Sequence, residues 1–145
     1  NENYLKITDR KKDIIVNAGG DNISPSRIEA KLDIEAEIAQ SMLYGDFKNY
    51  LVAIIVPNKE LAIEWAKENN LEINLSSIIK ENSYNKKIRE VIDKVNKNLS
   101  AIEQIRKFIL IDHEFTIENN MMTPSMKVRR FKVKDKYKED LESLY

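Results

Sequence analysis

The chain has 145 residues, 42% of them apolar, and carries 24 acidic against 24 basic side chains. That is about one domain of sequence with enough apolar material for a core, and a formal charge of zero gives neither nucleic acid nor an acidic membrane a global electrostatic hold. With no cysteine it can form neither a disulfide nor a thiolate metal site, which fits a cytoplasmic setting.

In chain order, Tyr4-Leu-Lys-Ile7 alternates apolar and polar, Asp9 to Asp13 is a charged turn, and Ile14-Ile-Val16 is β-branched, which predicts a first hairpin. Gly19-Gly20 follows directly and uses two of the three glycines. Ser24-Pro25 predicts a helix start, with Ser as N-cap and Pro in the first helical position, and Ile28 and Leu32 share one face of that helix. Ile38 to Tyr44 and Tyr50 to Val56 predict an antiparallel pair turned at Gly45-Asp46 and closed by Pro57. Glu60 to Glu68 reads as a helix with Leu61, Ile63, Trp65 and Ala66 turned inward. From Tyr84, the series Ile88, Val91, Ile92, Val95, Leu99 and Ile102 keeps three- and four-residue spacing and predicts an amphipathic helix. Phe108 to Ile111 reads as a strand, Phe115 to Ile117 as a short extended stretch, Met121 to Arg130 as irregular chain around Pro124, and Asp135 to Tyr145 as a closing helix.

This order predicts an α+β fold over residues 1–145: a β-hairpin followed by a small, mostly antiparallel sheet packed with helices, as a single domain. The longest apolar run, Leu51 to Pro57, is far short of the roughly 20 residues that span a bilayer. The start at Asn1, without Met and directly into strand-forming residues, points to a piece of a longer chain.

Few residues suggest chemistry by type alone. His113, the one histidine, lies between Asp112 and Glu114 with no neighbouring nucleophile and reads as a surface residue. No carboxylate pair has acid/base or metal-ligand spacing, and no Walker loop or dinucleotide fingerprint is present. Residues 127 to 138 hold seven cations against Asp135, a solvated face or a surface for phosphate.

Two stretches go further: YLKITDRKKDIIVNAGGDNISPSRIE, from Tyr4 to Glu29, and MTPSMKVRR, from Met122 to Arg130. Together they resemble the C-terminal domain of the adenylate-forming acyl-CoA synthetases of the AMP-binding superfamily. Asp9, Arg10, Lys12, Asp13, Gly19, Pro25, Ile28 and Glu29 match that family's hinge motif in one register, and Lys127 matches its C-terminal lysine loop. The stretch between Pro57 and Phe108, the Thr123-Pro-Ser-Met-Lys127 loop and the Ser143-Leu-Tyr145 ending look most like long-chain fatty acid–CoA ligases. Met126 stands where many other branches have Gly.

The resemblance implies a two-step ligase that joins a fatty acid to coenzyme A through an acyl-adenylate, with ATP and Mg2+ bound mainly by a large N-terminal domain outside this chain. It implies Lys127 as the catalytic cation of adenylation, Lys12 as the hinge, Arg10 near the nucleotide ribose, and Gly19 and Gly20 along the coenzyme A path. Gly19 matches the family position best, and for Gly20 a plain tight turn is the other reading. The implied partner is that N-terminal domain, the piece alone is expected to be inactive, and a lipid substrate is compatible with peripheral association at the inner face of a membrane. Rival readings are another acyl or aryl acid ligase, a stand-alone scaffold domain, and a nucleic-acid-binding module using Arg10-Lys11-Lys12 with Tyr4 and Phe131 as stacking rings. The last is opposed by charge: Lys6, Arg10, Lys11, Lys12 and Arg27 are balanced by Glu2, Asp9, Asp13, Asp21 and Glu29.

Overall fold

The computed structural model describes residues 14–125 and 127–145 of the chain. The predicted strand Tyr4 to Ile7, the turn Asp9 to Asp13, and Arg10, Lys12 and Met126 lie outside the described residues. What Ile14 to Val16 does is nevertheless clear: β1 (Ile15–Val16) pairs antiparallel with β2 (Asn22–Ile23), so the double glycine lies in a hairpin turn. Helix α1 (Pro25–Asp33) follows, with Ser24 at the N-cap and Pro25 in the first turn as predicted.

Strands β3 (Ile38–Tyr44) and β4 (Leu51–Pro57) form the expected antiparallel pair. Three helices then intervene, α2 (Lys59–Glu68), α3 (Leu75–Ile78) and α4 (Asn82–Asn96), before a 3-10 turn at Ala101–Glu103 and β5 (Ile105–Leu110). β5 lies parallel to β4, giving a mixed sheet of order β3-β4-β5. A parallel pair needs a crossover of a dozen or more residues, and the three helices supply it. The chain ends its described course with α5 (Arg130–Lys136) and α6 (Lys138–Glu142).

β4 is apolar throughout because both of its faces are buried. Leu51, Ala53 and Ile55 meet Ile28 and Leu32 of α1, Ala62 and Ala66 of α2, and Ile88 and Ile92 of α4. Val52, Ile54 and Val56 meet Phe115, Met121, Val133 and Leu141 on the opposite side. The fold is therefore three layers: helices, sheet, and a cover made by residues 111–125 and 127–144. At about 1.5–3 kcal/mol per fully buried large aliphatic side chain, the apolar clusters on the two faces of the sheet both contribute heavily to stability. No helix among the described residues is long and apolar enough to cross a membrane.

Four local predictions are corrected. Phe115 to Ile117 is not a strand; the Gln40 side-chain amide takes the place of a partner strand, accepting from Phe115 N at 2.7 Å and donating to Phe115 O at 3.1 Å. α4 stops at Asn96, before Leu99 and Ile102, because the Asn96 amide leaves the helix to bond Ile105 N and O, each at 2.9 Å; Ile102 is left 43% exposed. In α2 the fully buried residues are Ala62 and Ala66, while Leu61, Ile63 and Trp65 are only half-buried, Trp65 against the Tyr84 ring. The closing helix starts at Arg130 and is broken at Tyr137 (φ −106°, ψ 18°), whose buried phenol bonds His113 Nε2. α3, for which the sequence reading has no element, begins at an Asn cap: Asn74 Oδ1 accepts from Ser76 N at 2.9 Å.

Candidate active-site face

Lys127 closes a tight hairpin. Met122 and Val128 form its bridge, Thr123 N donates to Lys127 O at 2.8 Å, and Arg129 N donates to Met121 O at 2.7 Å. The Thr123 hydroxyl accepts from Lys127 N at 3.1 Å and lies 2.9 Å from the Ser125 hydroxyl, so the loop is held by its own polar side chains. The N-terminal arm is anchored by buried Met121 and by Met121 N and Met122 N on Thr116 O. The Lys127 side chain is exposed and makes no ion pair among the described residues.

Between this hairpin, β1 and the end of β3 lies a groove of about 740 Å3. Ile14, Ile15 and Leu43 give it an apolar wall, and Lys127, Arg129 and Lys132 bring cations to it. Phe131, 76% exposed, adds an aromatic face. One acid among the described residues, Asp46, also lines it and accepts from Val16 N at 3.2 Å, with Lys134 at 3.5 Å from its other oxygen. The balance of charge suits an anion whose body is part apolar.

The glycines behave differently from each other. Asn17 N bonds Asp21 O, Gly20 N bonds Asn17 O at 3.0 Å, and Gly20 has φ +85°. Gly20 thus takes the left-handed position of a short hairpin loop, which a side chain resists. Gly19 is not in that region, and a Cβ there would meet only the Asn17 and Asp21 side-chain oxygens at 3.5 Å. The turn explains Gly20 and leaves Gly19 unexplained. Neither glycine lines the groove; their turn docks on the β3–β4 loop through Phe47 N on Val16 O and Ala18 N on Lys48 O. The structure therefore brings Lys127 and the strand after the hinge motif to one groove, and puts the glycines beside it.

The sequence reading counted Glu29 as a motif position without seeing its bond. Pro25, Ile28, Glu29 and Leu32 form the buried stripe of α1, and a carboxylate on such a stripe requires partners. It has them: Leu43 N at 2.7 Å, and both terminal nitrogens of Arg130. So Arg130, placed with the solvated basic run by composition, is half-buried and spoken for. Nearby, burial pushes the Asp33 carboxyl up to about 6, helped by the charge of Glu29 and opposed by the Ser41 hydroxyl that donates to it at 2.8 Å.

His113 is half-exposed, as a surface residue would be, yet bridges Asp112 and the Tyr137 phenol. The Ser76 hydroxyl and His113 hold the Asp112 carboxyl below its usual range. Burial, aided by Asp112, pushes the Tyr137 phenol up to about 12. This chain of bonds ties Tyr137, within the cover layer, through His113 and Asp112 to Ser76 of α3. No cluster of three or more possible metal ligands occurs among the described residues.

Residues 12–145 match the family model described as the AMP-binding enzyme C-terminal domain. The long-chain-fatty-acid–CoA ligase FadD15 of Mycobacterium tuberculosis is 33% identical over 99% of this chain and 24% of its own length. Long-chain-fatty-acid–CoA ligase 6 of Rattus norvegicus is 31% identical over 99% of this chain and 21% of its own. Among solved structures, the A-PCP didomain of carboxylic acid reductase from Segniliparus rugosus, in complex with AMP, matches with a TM-score of 0.75 at 28% identity, covering 95% of this chain and 18% of that one. The chain thus spans under a quarter of the length of these curated relatives.

Proposed function

The chain belongs to the family of AMP-binding enzyme C-terminal domains, and on that premise we propose that it is the mobile domain of an AMP-forming long-chain fatty acid–CoA ligase. The observation that carries the proposal is Lys127: an exposed ammonium with no ion pair among the described residues, lining a groove with other cations, on a hairpin held by its own hydrogen bonds. In the first step a fatty acid carboxylate oxygen attacks the α-phosphorus of ATP, and the bond to the β-phosphate breaks to release pyrophosphate. Negative charge grows on the α-phosphate oxygens as this happens, so a cation delivered there acts most strongly in the transition state. In the second step the coenzyme A thiolate attacks the acyl carbon, the bond to AMP breaks, and the lysine is no longer required at the phosphate.

The remaining roles follow the same reading. Lys12 serves as the hinge, a position where a few backbone torsions absorb the rotation between steps, and Arg10 lies by the ribose. Gly19, which the turn itself does not demand, borders the pantetheine path of coenzyme A; Gly20 shapes the turn beside it. Mg2+ would travel with the nucleotide phosphates and be held mainly by the large N-terminal domain, this domain's partner. The curated relatives named as long-chain ligases support the choice of fatty acid. The test is acid-dependent exchange of pyrophosphate into ATP by the full-length enzyme across a panel of carboxylic acids. Exchange strongest with long-chain acids is expected; exchange confined to short or aryl acids would overturn the substrate assignment.

A further inference from the structure

Glu29 is 7% exposed and lies 101 residues before Arg130, yet the two form a forked pair. Arg130 Nη1 reaches Glu29 Oε2 at 2.5 Å, Nη2 reaches Oε1, and Nη2 also lies 3.4 Å from the Ser26 hydroxyl. The same Oε2 accepts from Leu43 N at 2.7 Å. One carboxylate therefore joins α1, the end of β3 and the first residue of α5.

Arg130 follows Lys127 by three residues and holds the C-terminal arm of its hairpin. A two-stranded hairpin with a single bridge pair has little rigidity of its own. Its direction is set by what its two arms grip: Thr116 and the lower core on one side, Glu29 on the other. A buried ion pair is a poor source of stability, because the desolvation of both charges offsets their attraction. Its two parallel hydrogen bonds do, however, fix the guanidinium in both place and plane. α1 follows directly on the β1–β2 hairpin, so the clasp connects the lysine hairpin to the chain that leaves the hinge.

Resting on the adenylation role given above to Lys127, we infer that Glu29 and Arg130 are positioning residues that aim the Lys127 ammonium for acyl-adenylate formation. They act through Lys127: Arg130 also lines the groove, but its guanidinium is committed to Glu29. Misplacing a catalytic group by about 1 Å can cost on the order of 100-fold in rate.

The experiment compares Glu29→Gln and Arg130→Lys in the full-length enzyme, each alone and combined with Lys127→Ala. Arg130→Lys keeps a cation on the buried carboxylate and removes only the fork, which guards against simple failure to fold. Two readouts are needed: fatty-acid-dependent pyrophosphate exchange, and thioester formation from supplied acyl-adenylate and coenzyme A. We expect exchange to fall roughly 10- to 100-fold with thioester formation nearly unchanged, and no added loss of exchange when Lys127 is already Ala. Parallel loss of both half-reactions, or losses that multiply with Lys127→Ala, would overturn the positioning role while leaving the adenylation reading intact. Undiminished exchange by Lys127→Ala alone would overturn that reading itself, and the clasp with it.

Discussion

Replacing each of the paired glycines by alanine should separate a residue the fold needs from one it does not. Gly20 sits at φ +85° with nothing within 4 Å of an added Cβ. The penalty of Gly20→Ala is therefore backbone strain alone, about 1–2 kcal/mol for an L-residue held in the left-handed region. Gly19 is outside that region, and an added Cβ would lie 3.5 Å from two side-chain oxygens, an ordinary contact. There alanine restricts the unfolded chain more than it disturbs the folded one, worth up to about 0.4–1 kcal/mol of added stability. Urea denaturation of this chain, read as the shift in midpoint at constant slope, should place Gly20→Ala well below wild type and Gly19→Ala at or above it. In the full-length enzyme the order should reverse for function: on the proposal that Gly19 borders the coenzyme A path, Gly19→Ala should slow thioester formation while leaving pyrophosphate exchange intact. Equal destabilisation by the two substitutions would refute the reasoning, because Gly19 would then be a second requirement of the turn.

The Asp33 carboxyl is raised to about 6 in the folded chain, so the folded state holds its proton more tightly than the unfolded state does. The stability this contributes is complete below the ordinary value of 3.8 and is lost as pH rises through about 6. Asp33→Asn keeps an acceptor for Ser41 and removes the charge, so its stability relative to wild type should rise between pH 4 and pH 7 in paired urea titrations. Gln40→Leu leaves Phe115 N and O without their partners and should cost about 1–3 kcal/mol in the same assay. Gly45→Ala would place a Cβ 2.6 Å from Leu51 Cδ2 and 3.3 Å from Tyr50 O; overpacking there should cost about 1–3 kcal/mol.

What was legible in the sequence was periodicity and punctuation. Ser24-Pro25, the run Leu51 to Val56 and the spacing from Tyr84 to Val95 each name their element, because local propensity and burial agree there. Three of the four errors occur where a side chain makes a bond to a residue outside its own element. Gln40 stands in for a strand at Phe115, Asn96 ends α4 inside an apolar series, and Tyr137 breaks the last helix to reach His113. Nothing in a local window announces such bonds, since their partners lie up to 75 residues away. The site was half legible. Lys127 and the glycines could be picked out by motif, but the bond between Glu29 and Arg130 could not. Its one local sign was a carboxylate on the apolar stripe of α1.

The central claim is that this domain delivers Lys127 for the first half-reaction and not for the second. The measurement is the full-length enzyme with Lys127→Ala beside wild type, each half-reaction followed separately. The account predicts a fall in fatty-acid-dependent pyrophosphate exchange of about 10²–10³-fold, the usual worth of a preorganised group at a developing anion, with thioester formation from supplied acyl-adenylate little changed. Exchange equal to wild type, or equal losses in both half-reactions, would contradict it.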